Sequence, residues 1–194
     1  MDDQDLSPAQ KKKSSAIVSA ARLHFATHGF EATKLSEIAR DAGVAVGTIY
    51  LRYTSKAELL AGVLGAVEEA FCDAIDTKKI WETPFPERFA LVVEGVMKAA
   101  QGQPDLPALM ALSSLAAPSN APEKQPMLEK IAEHIQSGIV AGSLRDDVDP
   151  KLAAHMAHGM VNGAMRELMS NPDRAPKDMV HHIADAYAKW LLAP

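Results

Sequence analysis

Apolar residues recur at three- and four-residue spacing along most of this chain, and the breaks between the runs carry Gly or Pro. Ile17, Ala20, Ala21, His24 and Phe25 predict a first helix, capped by Ser14 or Ser15 and closed by Gly29. Leu35, Ile38 and Ala39 predict a short second helix, with Thr33 as its cap and Gly43 as its stop. Gly47, Thr48, Ile49 and Tyr50 belong to a third. The segment TSKAELLAGVLGAVEEAFCDAI then predicts a long amphipathic helix, capped by Thr54 or Ser55 and running to about Ile75. Further helical patterns cover about 85–101, 106–116, 127–141, 151–170 and 176–192, the fourth of these opened by Asp149-Pro150. No period-two alternation competes with them, so the fold class is all-α.

Two short helices joined by a tight, glycine-bearing turn form a helix-turn-helix, here at about 33–53. The second helix of such a pair enters the major groove. Gly47 lets backbone approach DNA closely, while Thr48, Tyr50, Tyr53 and Lys56 carry donors suited to phosphate oxygens. Val46 and Leu51 have no side-chain donor, which leaves thymine-methyl contacts, Tyr50 and Arg52 to read bases. Tyr50 and Tyr53 could equally be packing residues of the small core, beside Phe25, Phe30, Leu35, Ile38 and Ile49.

Over residues 16–60 the sequence AIVSAARLHFATHGFEATKLSEIARDAGVAVGTIYLRYTSKAELL resembles the TetR-type transcriptional regulators. HGFEAT, IARDAGV, GTIY and YTSKAELL follow that family's pattern in order and spacing. Ala45 departs from it, standing where the family has a small hydroxyl residue that caps the helix and meets phosphate. The resemblance implies a three-helix DNA-binding head at 11–71, linked by a long helix to a helical effector-binding and dimerisation body at 72–194. It implies DNA contacts from Thr33, Lys34, Ala45, Val46, Gly47, Thr48, Tyr50, Leu51, Arg52, Tyr53 and Lys56, with Lys56 on phosphate near a helix N-terminus.

Charge agrees with that division. The chain carries a net −5, yet residues 10–56 hold eight Lys/Arg against three Asp/Glu, a net of +5. Residues 57–194 hold twelve against nineteen, a net of −7, so the polyanion-seeking surface is confined to the head. Lys11, Lys12 and Lys13 read either as a solvated helix start or as an arm reaching phosphate after a disordered 1–10. The acidic N-terminus is unlike a signal peptide, and no apolar run reaches membrane-spanning length. One cysteine, Cys72, lying among apolar neighbours, reads as a plain thiol in a reducing cytoplasm.

The body offers a sensor and a dimer face. Phe89, Val93, Met97, Leu109, Met110, Leu112, Ile131, His134, Ile135 and Met165 are candidate pocket walls, and otherwise ordinary core. Nine methionines suit an adaptable apolar site. The 151–170 helix is apolar over a wide arc with small residues, so it must bury two sides. Leu152, His155, Met156, Gly159, Met160, Gly163, Ile183, Tyr187 and Trp190 are the candidate dimer residues; in the family the last two long helices pair across a twofold axis. His155, His158 and Asn162 share a helix face but supply too few strong ligands for a metal site, and His181 and His182 read as surface. No phosphate loop, nucleophile–base set or paired catalytic carboxylates occur, so neither enzyme activity, metal nor cofactor is expected.

The resulting expectation is a cytoplasmic homodimer that represses from a palindromic double-stranded DNA operator. A small, largely apolar effector would release it by shifting the long fourth helix. The alternative is a helical carrier or interaction protein that has lost DNA binding, for which Ala45 and the donor-poor Val46–Leu51 face speak.

Overall fold

The computed structural model describes residues 7–85, 87–116, 126–171 and 176–192. Among these residues ten α-helices follow in order: α1 (Pro8–Ala32), α2 (Leu35–Asp41), α3 (Val46–Tyr50), α4 (Lys56–Ile75), α5 (Lys78–Glu82), α6 (Glu87–Gln101), α7 (Leu106–Ala111), α8 (Pro126–Val140), α9 (Pro150–Ser170) and α10 (Pro176–Leu191). A 3₁₀ turn spans Ser113–Leu115, and an isolated bridge joins Leu144 to Leu192. The fold is all-α.

The chain divides into two compact units. One holds Met1–Val67 and Asp105–Lys124, the other Glu68–Pro104 and Gln125–Pro194. Helix α4 contributes to both, as its residues run across the Val67–Glu68 division. The head therefore takes in α7, which packs on α1.

In the head, α1 packs on α2 and α2 on α3 around Ile17, Ala21, Phe25, Ile38, Ile49, Leu59, Leu60 and Val63, all essentially inaccessible. Helix α1 begins earlier than the Ser14 or Ser15 cap expected of it. Ser7 is the cap: its hydroxyl accepts from Gln10 N while the Gln10 amide oxygen accepts from Ser7 N, and Pro8 occupies the first turn. Residues 8–10, expected to be disordered, are thus helical, residues 1–6 lie outside the described residues, and Lys11, Lys12 and Lys13 lie on helix, exposed.

Thr33 is not the cap of α2. At Gly29 (φ 75°, ψ 180°) the backbone leaves the helical region, breaking α1 where Gly29 was expected to close it; a short helical stretch follows to Ala32, and α2 starts after Lys34 with no side-chain cap. Thr33 points back instead: it is 2% exposed, and its hydroxyl donates to the Gly29 carbonyl at 2.6 Å and lies 3.1 Å from that of His24. It satisfies carbonyls that this break leaves without helical partners. Gly43, at φ 67°, makes the turn between α2 and α3. Ser55 caps α4 by accepting from Glu58 N, and the Glu58 carboxylate takes both the N–H and the hydroxyl of Thr54 at 2.6 Å. The Thr54 bonds hold that carboxyl below its usual range.

In the second unit α8 packs on α9, α10 on α6 and α9, and α5 on α6. Asp149 caps α9 by accepting from Lys151 N and Leu152 N, with Pro150 at the first helical position as expected. The interior is built from Phe89, Val92, Val93, Val96, Met97, Ile131, Ile135, Ala153, Ala157, Val161, Ala164, Met165 and Tyr187. Helix α5 had no counterpart in the hydrophobic pattern.

Candidate nucleic-acid interface

Helix α3 presents an unusual surface for its size. Its one fully buried side chain, Ile49, anchors it in the head. Ala45, Val46 and Gly47 are exposed at its start, and Tyr50 and Leu51 at its end are 53% and 86% exposed. An apolar side chain left that open makes no contribution to the head's core. A surface of this kind is available for apolar contact with base edges. As Ala45 predicts, α3 has no side-chain cap.

Charge gathers beside this face. Gln10, Lys13, Ser14 and Ile17 of α1 line one cleft with Thr48, Leu51 and Arg52, with a volume of about 370 Å³. Two cationic side chains and two hydroxyls thus border the exposed end of α3. Thr48, Leu51 and Arg52 are among the expected contact residues, and Gln10 and Ser14, which line the same cleft, are not. Their signal was available in the Ser7-Pro8 helix start, which puts Gln10, Lys13, Ser14 and Ile17 on one side of α1.

The remaining expected DNA residues divide into two sorts. Lys34 is exposed and 3.8 Å from Glu37. Arg40, outside the expected set, pairs with Asp41 at 2.9 Å. Asp41 also meets Nε2 of buried His24 at 2.8 Å, and these two bonds, Arg40's foremost, hold its carboxyl low. Buried Thr33, its hydroxyl spent on carbonyls, has no side-chain surface to offer a duplex, which corrects its place in the expected contact set. Lys56 donates to the Glu31 and Thr33 carbonyls, each at 3.2 Å, and its ammonium lies 4.5 Å over the Phe30 ring. Tyr53 is half-buried, its ring packed on Gly62 of α4. Lys56 and Tyr53 thus tie α4 to the rest of the head.

The expected body residues are also redistributed. Phe89, Val93, Met97, Ile131, His134, Ile135 and Met165 are buried in the second unit, but Leu109, Met110 and Leu112 belong to the head unit. On α9, Leu152, His155, Met156 and Gly159 are exposed and Met160 and Gly163 half-buried, as are Ile183 and Trp190 on α10. Tyr187 is different. It is 2% exposed, stacks on Phe89 with ring centres 4.3 Å apart, and donates its hydroxyl to the Ala153 carbonyl at 2.6 Å. This is a core tyrosine, whose buried hydroxyl requires an internal acceptor, and not an interface one.

Asn162 and His158 contact each other at 3.2 Å, and burial lowers the His158 imidazole's affinity for a proton. Burial pushes the Cys72 thiol up to about 11, an inert state. Among the described residues no group of three His, Cys, Asp or Glu could hold a metal ion, and no helix is long and apolar enough to cross a membrane.

Residues 17–63, spanning α1 to the first turns of α4, match the bacterial regulatory proteins of the tetR family. The head of the chain thus carries the N-terminal domain of that family. It is a family of DNA-binding regulators and not of enzymes. The HTH-type transcriptional repressor KstR of Mycobacterium tuberculosis is 29% identical over 128 residues, 66% of this chain, and the chain spans 58% of that repressor's length. The fatty acid degradation regulator FadR of Bacillus halodurans superposes with a TM-score of 0.73 at 25% identity, covering 95% of this chain and 96% of its own. FadR of Bacillus subtilis, solved in complex with stearoyl-CoA, shares the fold at a TM-score of 0.72 and 22% identity, covering 90% and 97%.

Proposed function

We propose that this protein is a tetR-family, ligand-responsive transcriptional repressor, acting in the cytoplasm as a homodimer on a palindromic operator. The observation that carries the reading is the exposed α3 face of Val46, Tyr50 and Leu51 beside the Lys13–Arg52 cleft, on a head whose charge is opposite to the body's. Lys13, Thr48 and Arg52 engage phosphates and fix register, and Val46, Tyr50 and Leu51 meet base edges. With so few base-reading donors, half-site spacing and DNA shape carry much of the specificity.

One head reads one half-site, so a second copy is required. Leu152, Met156 and Gly159 of α9, exposed in the single chain, give an apolar, close-packing face for it. The effector is a small, largely apolar molecule bound among the α6, α8 and α9 side chains. The acyl chain of the stearoyl-CoA held by the B. subtilis FadR is of that character. Repression ends if the effector binds the non-operator state more tightly, since the coupling is reciprocal. Helix α4, continuous through both units, is the element that carries the change.

Mobility-shift and footprinting assays on DNA flanking the protein's own gene test the reading. A protected inverted repeat at low salt is expected. If no palindrome is protected while the protein remains folded and dimeric, the carrier reading replaces it.

A further inference from the structure

In the second unit, α5, α6 and α8 enclose a buried imidazole with nothing to bind. His134 of α8 is 3% exposed, and neither Nδ1 nor Nε2 has a hydrogen-bond partner. Trp81 of α5 covers it, ring on ring, with centres 3.9 Å apart and planes 25° from parallel. Buried polar groups are paired as a rule, so this imidazole leaves both a donor and an acceptor unmet.

Arg88 of α6 supplies an independent observation. Its guanidinium donates to the Thr83 carbonyl at 2.6 Å, the Trp81 carbonyl at 2.9 Å and Ser137 Oγ at 2.5 Å. All three acceptors are neutral. Burial lowers its proton affinity, with no carboxylate opposing that cost. The other charges around Trp81 are already matched: Lys130 binds Asp76 at 3.2 Å and Glu133 at 3.1 Å, and Asp76 accepts from Trp81 Nε1 at 2.6 Å. Of the two described cations beside the Trp81 ring, Arg88 is the one that lacks an anion.

The two features adjoin. Ser137, which accepts from Arg88, donates to the His134 carbonyl at 2.7 Å, and Arg88 lies 5.8 Å from the centre of the Trp81 ring that stacks on His134. Burial and the fields of Arg88 and Lys130 hold His134 neutral, pushed down to about 4, so it offers one ring N–H at physiological pH.

We infer that this corner binds the acidic head of the effector, a carboxylate on an apolar body, with Arg88 and the His134 N–H as its donors and Trp81 as the ring that lifts to admit it. The inference rests on the proposal that the body is an effector module. It narrows that effector from largely apolar to amphipathic and acidic. A carboxylate gives Arg88 its counter-charge and His134 its acceptor together, which a neutral headgroup does not.

The test uses the full chain carrying W190F, so that Trp81 is the sole tryptophan and its emission reports the site. Sodium decanoate and 1-decanol, equal in chain length, are titrated against it. A saturable change in Trp81 emission is expected, with decanoate binding at least tenfold tighter than decanol. R88M and H134L should each weaken decanoate at least tenfold, while K79M, at an exposed lysine on the same short helix, should not. Equal binding of acid and alcohol, no saturable decanoate signal, or decanoate binding unchanged in both R88M and H134L overturns the inference. Operator retention is measured in parallel. Acid binding without operator release upholds this site and overturns the effector reading, whereas release by decanol without dependence on Arg88 does the reverse.

Discussion

Arg22 of α1 holds Asp105 in a two-pronged ion pair, Nε to Oδ2 at 2.5 Å and Nη2 to Oδ1 at 2.7 Å, across 83 positions of sequence. Asp105 lies directly before α7, where the chain returns to the head unit after α6. Both side chains are less than a third exposed, so the pair is neither a solvated surface bridge nor a fully desolvated one. D105N removes the charge while preserving shape, and should lower unfolding free energy by about 1 kcal/mol, read from urea midpoints followed by circular dichroism. The pH dependence has a definite sign. Arg22 lowers the folded-state pKa of Asp105, so the stabilisation is present above the ordinary carboxylate range and is lost as pH falls through the lowered value. The D105N penalty should therefore be full at pH 7 and shrink on acidification below about 4. An equal penalty at both ends of that range would deny the ion pair its role.

Tyr53 and Gly62 make the second prediction. A Cβ at Gly62 would lie 2.7 Å from Cε1 of the Tyr53 ring and 3.1 Å from its hydroxyl oxygen. On helix propensity alone G62A should gain about 1 kcal/mol, because alanine orders more cheaply than glycine. The ring is a rigid obstacle, and it sits beside α3. We expect G62A to weaken operator binding several-fold, and G62A with Y53A to lose no more than Y53A alone. Additive losses, measured by fluorescence anisotropy on one operator duplex, would rule out the steric coupling.

A third prediction separates the two kinds of residue around α3. R52A should reduce the salt slope of operator binding by about one ion and weaken all sequences alike. L51A removes a side chain that is 86% exposed, so fold stability should hold within about 0.5 kcal/mol. Its effect should fall on the ratio of operator to non-operator affinity. A change in stability with no change in that ratio would remove Leu51 from the base-reading face.

What could be read in advance followed the range of the physics involved. Caps and periodicity are local, so α2, α4, α6, α8, α9 and α10 lay close to their expected positions, while five-residue α3 was legible only through the glycine-bearing turn before it. Helix α5 has five residues, too few for a period to show. The early start of α1 was legible in Ser7-Pro8 and Gln10, because a capping box has a sequence signature. Thr33 was not, since a threonine after a glycine looks like a cap whether its hydroxyl turns forward or back. The assignment of Leu109, Met110 and Leu112 to the head depends on α7 packing against α1, a pairing between residues some eighty positions apart that no local pattern encodes. Tyr187 shows the same limit. Its spacing on α10 fits an outward face or an inward one, and only the placement of Phe89 and the Ala153 carbonyl selects the inward one.

That choice yields the last prediction. The Tyr187 hydroxyl is buried and donates to Ala153 O at 2.6 Å, and burial raises its pKa, so it remains a phenol throughout the accessible pH range. Y187F keeps the ring stacked on Phe89 and removes only the donor. The Ala153 carbonyl loses its side-chain donor at an interior position, and the cost should be about 1 kcal/mol. Y187A removes the ring as well and should cost about 3–5 kcal/mol through the cavity it opens. Dimerisation should respond to neither beyond what unfolding explains, because the side chain faces the core. L152D, on an α9 side chain that is 59% exposed, should do the opposite, preserving the fold and dissociating the dimer. Sedimentation velocity together with thermal unfolding distinguishes the two patterns, and a folded but monomeric Y187F would return Tyr187 to the interface.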